Sequence, residues 1–346
     1  MLKNASENST KLQWRSVLVT VLKFAVSFLI LAYLFNQAWK HDQFAKLADT
    51  PKHFGWLSVG IVAGLAACVA AFFRWHLLVR AIGLKFKLID AIRLGFLGHL
   101  FNLMSFGVLG GDAIKAMFVA RQMKGNATEA VVTVFADRVI GLYAMFAFAG
   151  TAYLITDFSA LKAENPQSLA SVKMVCLFSL GCTIFGGVVL ALLFIFKNWK
   201  EAWFCQKMIG LPKVGPLIER LFQVINIYRS RLGVLASSLA ISLTSIVLFA
   251  VSIYSVARGI SETFPSLTSH LVIAPIAMVA NAVPLPGGLG GMEFALDFLY
   301  RGFSQAGLPS EHGFVVALGF RMILLFVAAV GVFVYLTKKR EIDELS

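Results

Sequence analysis

Two short stretches of this sequence place a glycine pair next to a carboxylate. In the first, Asn102 is followed by Gly110, Gly111 and Asp112; in the second, Asn281 is followed by Gly290, Gly291 and Glu293. Backbone amides at a Gly-Gly pair have no Cβ over them, so an anion such as a phosphate can approach closely. At a helix N-terminus those amides also carry a partial positive charge. Each acid is followed by an arginine: Arg138 lies 26 residues after Asp112, and Arg321 lies 28 residues after Glu293. Arginine binds phosphate bidentately and stays charged at any working pH, while a carboxylate in a low dielectric can take up a proton. These groups suit the binding of a phosphate-bearing molecule better than bond-making chemistry. The competing reading of the glycines is tight helix packing; glycines beside carboxylates, twice, favour a site.

Other charges need partners. Asp137 adjoins Arg138, but neighbours on a helix point about 100° apart, so the two do not pair well with each other. One arrangement pairs Asp137 with Arg321 across the two stretches. Glu293, Asp297 and Arg301 are spaced to support one another along one helix face. Lys23 is placed to snorkel, and Arg93 and Lys115 join the in-membrane charges; His76 and His99 receive no role. No Cys or His pair has metal-ligand spacing, so neither metal nor cofactor is expected. Cys68, Cys176, Cys182 and Cys205 lie in or beside apolar runs, so no disulfide is expected.

The elements that hold these residues are apolar helices. Of the 346 residues, 58% are hydrophobic and 14% charged, against about 25% charged in a soluble domain. The run Leu232 to Ala257 has 26 residues without a charge, and about 20 suffice to cross a bilayer as a helix. The runs lack the period-two alternation of barrel strands. Spans are predicted at about 16–39, 56–79, 128–156, 172–197, 232–257 and 312–337. Between them, 89–121 and 268–303 are each broken by glycine or proline. The expected fold is an all-α polytopic membrane protein, a single domain over 1–346, with six spans and two re-entrant hairpins; the alternative has eight full spans. The first arrangement puts 20 Lys and Arg inside and six outside, as the positive-inside rule asks. It puts 1–15, the amphipathic segment 198–231 and the tail 338–346 in the cytoplasm, and the hairpins enter from opposite faces, as an inverted repeat. The net charge of +13 is spread over helix ends, which speaks for anionic lipid headgroups and against nucleic acid.

Phe73-Arg74-Trp75, Asn102 with Gly110-Gly111-Asp112, Asp137-Arg138 with Gly141-Leu142, and Pro284-x-Pro286-Gly287-Gly288-x-Gly290 with Glu293 together resemble the transmembrane region of the lysylphosphatidylglycerol synthase family, also called flippase-like domain proteins. The likeness runs from about residue 16 to 337, and departs from the pattern at Ser105-Phe106, where a proline is expected. It implies translocation of a lipid across the cytoplasmic membrane. Six residues follow Arg340, so a membrane-only member without an attached synthase domain is expected. The cargo implied is a phospholipid, aminoacyl-phospholipid, glycolipid or isoprenoid-linked lipid. Two other classes stand beside this one. A non-transporting accessory protein of lipid or envelope-glycan synthesis would partner a lipid synthase or glycosyltransferase. A lipid-phosphate-processing enzyme is disfavoured, because the sequence has no P-loop, no H-E-x-x-H and no nucleophile–base pair.

Overall fold

The computed structural model describes residues 22, 25–40, 42–104, 108–123, 126–155, 166–195, 223–281, 289–303 and 312–337, and among these there is no strand. In chain order the helices are α1 (25–40), α2 (Gln43–Asp49), α3 (Phe54–Ala81), α4 (Leu88–Met104), α5 (Val108–Gln122), α6 (Ala127–Ile155), α7 (Pro166–Ile195), α8 (223–229), α9 (Leu232–Ile260), α10 (Leu267–Asn281), α11 (Gly291–Gly302) and α12 (Gly313–Thr337). Five of them, α3, α6, α7, α9 and α12, contain a stretch long and apolar enough to cross a membrane. This is an all-α polytopic membrane fold. The start of the first expected span, the prolines at 284 and 286, the Ser105-Phe106 departure, the tail and most of 198–231 lie outside the described residues.

The long helices α3 and α9 form a spine, and their small residues explain it. Gly60 and Gly64 are one turn apart on α3, and a Cβ on Gly64 would sit 2.9 Å from Ile323 and 3.2 Å from the Ser252 hydroxyl. Backbones therefore approach closely enough for serines of α9 to reach carbonyls of α3. Ser252 donates to the Gly60 carbonyl at 2.7 Å, and Ser245 donates to the Ala67 carbonyl at 2.9 Å. Interhelical hydrogen bonds of this kind contribute about 0.6 kcal/mol each in a membrane. At one end the His53 amide donates to the Gly259 carbonyl at 3.0 Å. Residue numbers rise along α3 as they fall along α9, so the two helices run antiparallel.

Each spine helix feeds a hairpin. At about 1.5 Å per residue, α4 and α5 are about 25 and 22 Å long, and α11 is about 18 Å, all short of a hydrocarbon core about 30 Å thick. They fold back on themselves. A Cβ on Gly111 of α5 would lie 2.0 Å from the Gly98 carbonyl of α4, and one on Gly98 would lie 2.5 Å from the stem of Lys115. His270 of α10 likewise meets Tyr300 of α11, its Nε2 lying 2.6 Å from the tyrosine oxygen. Residues 98 and 102 thus face 115 and 111, so α4 and α5 run antiparallel as a hairpin. The hairpins follow the C-terminal ends of two antiparallel helices, so they start from opposite ends of the spine. The halves α3–α6 and α9–α12 are related by inversion. They also exchange partners: α4 packs on α12 and α10 packs on α6. A Cβ on Gly331 of α12 would come within 2.5 Å of the Phe96 carbonyl of α4.

Candidate functional site

In the first half, Gly110 and Gly111 stand in the first turn of α5 and Asp112 follows them. The Gly111 amide donates to Asn102 Oδ1 across the break at 2.8 Å, so the last turn of α4 holds one of the first-turn amides of α5 that have no partner within the helix. Asp112 receives Arg138 of α6: Nη2 donates to Oδ1 at 2.7 Å, and Nε stands in ion-pair contact with Oδ2. Lys115 stands 4.0 Å from the same carboxylate. Its ammonium lies 5.5 and 5.7 Å from the ring centres of Phe72 and Trp75 of α3, within reach of cation–π attraction.

Asp137 does not reach Arg321. Arg74 of α3 holds it instead, with Nε donating to Oδ1 at 2.7 Å. Arg74 also donates through Nη1 to the Ser242 hydroxyl of α9 at 2.8 Å, and that hydroxyl donates onward to the Ser238 carbonyl at 2.8 Å. Both charged partners are buried. The expected pairing fails for a physical reason: a buried carboxylate takes the cation that can satisfy it over the shortest path, and Arg74 lies directly across the α3–α6 contact. Arg74 stands within α3 and not in the loop that follows it. Gly141, one turn after Asp137, makes the room, since a Cβ there would sit 3.1 Å from the guanidinium.

The second half repeats the acid–arginine pairing. Glu293 opens α11 and receives Arg321 of α12, whose Nε donates to Oε1 at 2.8 Å and Nη2 at 2.5 Å. The other carboxylate oxygen accepts the Gly290 amide at 2.9 Å. Gly290 has φ +96°, a conformation that only glycine adopts cheaply, and Gly291 is the first residue of α11. Asp297 pairs with Arg301 at 2.8 Å along the same helix, as its spacing predicts, whereas Glu293 leaves that row for Arg321. Arg301 also donates to Gln37 of α1. Asn281 Oδ1 is buried without a hydrogen-bond partner among the described residues, and Gly110 stands in the first turn of α5.

Two groups in this network were absent from the sequence-derived site. Arg74 could have been found from the unbalanced Asp137 and from its place seven residues before the end of α3. Ser242 belongs to a row, Ser238, Ser242, Ser245 and Ser252, that is buried along one face of α9; its helical spacing is visible in the sequence.

An inverted pair of broken hairpins, each with a carboxylate at its opening clamped by an arginine of the next span, defines a multi-pass membrane protein built on an internal repeat. The family model for the lysylphosphatidylglycerol synthase TM region matches residues 20–331. The chain belongs to that family, and its setting is therefore membrane lipid. No curated protein matches the sequence.

Proposed function

We propose that this protein is a transporter that moves a lipid with an anionic headgroup across the cytoplasmic membrane, with both termini in the cytoplasm. The observation that carries the reading is the repeated acid–arginine pair at the mouth of each hairpin. A charge at the centre of a bilayer costs about 3 kcal/mol on insertion scales, so five charged side chains joined across α3, α5 and α6 call for a polar task inside the membrane. Arg138 suits the phosphate, and Asp112 beside it suits a positive group on the headgroup or a proton that drives the cycle. Acyl chains stay in hydrocarbon while the headgroup follows the charged path. The cargo class is a phospholipid, an aminoacyl-phospholipid, a glycolipid or an isoprenoid-linked lipid, received from a lipid synthase or glycosyltransferase. The sequence carries neither a P-loop nor an H-E-x-x-H motif, which favours carriage over chemistry.

Reconstitution tests this. Vesicles holding the protein and a fluorescent phosphatidylglycerol are treated with a membrane-impermeant quencher. The wild-type protein exposes inner-leaflet lipid faster than protein-free vesicles do, and Arg138→Ala falls to the protein-free rate while keeping its thermal unfolding midpoint. A wild-type rate equal to that of empty vesicles for every lipid class named above overturns the reading.

A further inference from the structure

Arg138 and Arg321 occupy equivalent places in the repeat, yet their surroundings differ. The Arg138 side chain is 43% exposed and that of Arg321 is 9% exposed. The difference lies in which face of the helix each arginine occupies. On α6, Phe135, Arg138, Val139 and Leu142 are all exposed, and their i, i+3, i+4, i+7 spacing makes them one stripe. On α12 the exposed stripe is Met322, Leu325 and Phe326, and Arg321 is turned away from it into the protein. Counting from each arginine, Leu142 matches Leu325, and the two are exposed alike at 41% and 44%. The second half presents an apolar face, and the first presents an apolar face with a guanidinium in it.

The second hairpin is also covered. Ile30 of α1 sits 3.4 Å from where a Cβ of Gly290 would be, Leu34 and Ala38 pack against Phe314, and Gln37 holds Arg301. Glu293 is 1% exposed. Arg138 lies 11 residues into α6, about 16 Å along it at 1.5 Å per residue, among side chains that face hydrocarbon. Asp112 meets only Nε and Nη2 of that guanidinium, and its remaining N–H groups stand exposed among apolar side chains, a costly arrangement unless an anion meets them. The connected charges Arg74, Lys115 and Arg138 against Asp112 and Asp137 leave one positive charge in excess, which selects an anion.

We propose that one anionic phospholipid binds from within the bilayer along the exposed face of α6, its phosphate on Arg138 and its acyl chains over Phe135, Val139 and Leu142, while the Glu293–Arg321 pair is a closed structural counterpart that receives no lipid. This rests on the transport reading for its purpose, but its test does not depend on transport.

A photoreactive benzoylphenylalanine is placed at Leu142 in one variant and at Leu325 in another. Each full-length protein is reconstituted in phosphatidylcholine vesicles containing a minor fraction of phosphatidylglycerol. After illumination, the cross-linked lipids are identified by mass spectrometry. Cross-links at position 142 are enriched in phosphatidylglycerol by about tenfold over the vesicle composition, the ratio that about 1.4 kcal/mol of headgroup binding gives. Cross-links at 325 follow the bulk composition. Adding Arg138→Gln removes the enrichment at 142, whereas Arg321→Lys leaves it intact. Equal composition at the two positions, or enrichment at 142 that survives Arg138→Gln, overturns the proposal. Transport that needs Arg138 without enrichment at 142 sinks this proposal and spares the transport reading; enrichment without transport by the wild-type protein does the reverse.

Discussion

The two hairpin openings solve one problem with different groups. Each must hold the amide at its glycine pair and must pair the acid that begins its second helix. In the first, a neutral side chain from the preceding helix, Asn102, takes the Gly111 amide, which leaves both oxygens of Asp112 to Arg138 and the nearby Lys115. In the second, Glu293 does both jobs, taking the Gly290 amide with one oxygen and Arg321 with the other. The longer side chain makes this possible: glutamate reaches back to cap its own helix, and that contact fixes it. The first opening thus keeps an acid–arginine pair at a partly open surface, and the second has a pair locked by three groups. Sequence-equivalent positions need not share a role; what differs is how many partners each acid already has.

The contrast can be broken by mutation. The largest effect is expected from Glu293→Ala. It leaves Arg321 buried without its partner and frees the Gly290 amide, a loss of about 3–5 kcal/mol for a broken buried pair. Asp112→Ala, with Arg138 half in the open, should cost about 1 kcal/mol or less. Thermal unfolding in detergent compares the two, and equal shifts would remove the asymmetry. Arg74→Met comes next. It strands Asp137 in the interior at a similar cost, and Asp137→Asn added to it should recover part of the midpoint lost by the single variant. Gly111→Ala should cost about 1–3 kcal/mol as overpacking, because its Cβ would meet the Gly98 carbonyl, which cannot rotate away. Gly233→Ala, with nothing within 4 Å, is the matched control, and an equal effect at both positions counts against close α4–α5 packing. Asn102→Ala is as small as Asp112→Ala, about 1 kcal/mol for one lost hydrogen bond; faster amide exchange at Gly111, with Gly290 unchanged, is the signature to seek.

Much of this was legible in the sequence, for reasons particular residues make clear. Apolar runs gave α3, α6, α7, α9 and α12 to within a few residues, since a helix in hydrocarbon must satisfy its own backbone. The ends were less certain: α7 begins at Pro166 and not near 172, because hydropathy does not mark where a helix leaves the membrane and proline is at home in a first turn. The repeat predicted which acid and which arginine correspond, and Asp112–Arg138 and Glu293–Arg321 do pair. It could not predict Asp137, which has no counterpart before Arg321, where Phe320 stands. Arg74 was concealed by its position near the end of an apolar run, where an arginine reads as a loop charge. The exposure of Arg138 was beyond reach, since it depends on the turn of α6 against its neighbours.

The antiparallel contact of α3 with α9 has a consequence for the origin of the fold. Two copies of one four-helix unit can make such a contact only if they enter the bilayer in opposite senses. An ancestral half-length chain would therefore have needed loops whose Lys and Arg did not commit it to one orientation. Fusion of the halves would then have held one copy upside down by its covalent link to the other, whatever its own Lys and Arg favoured.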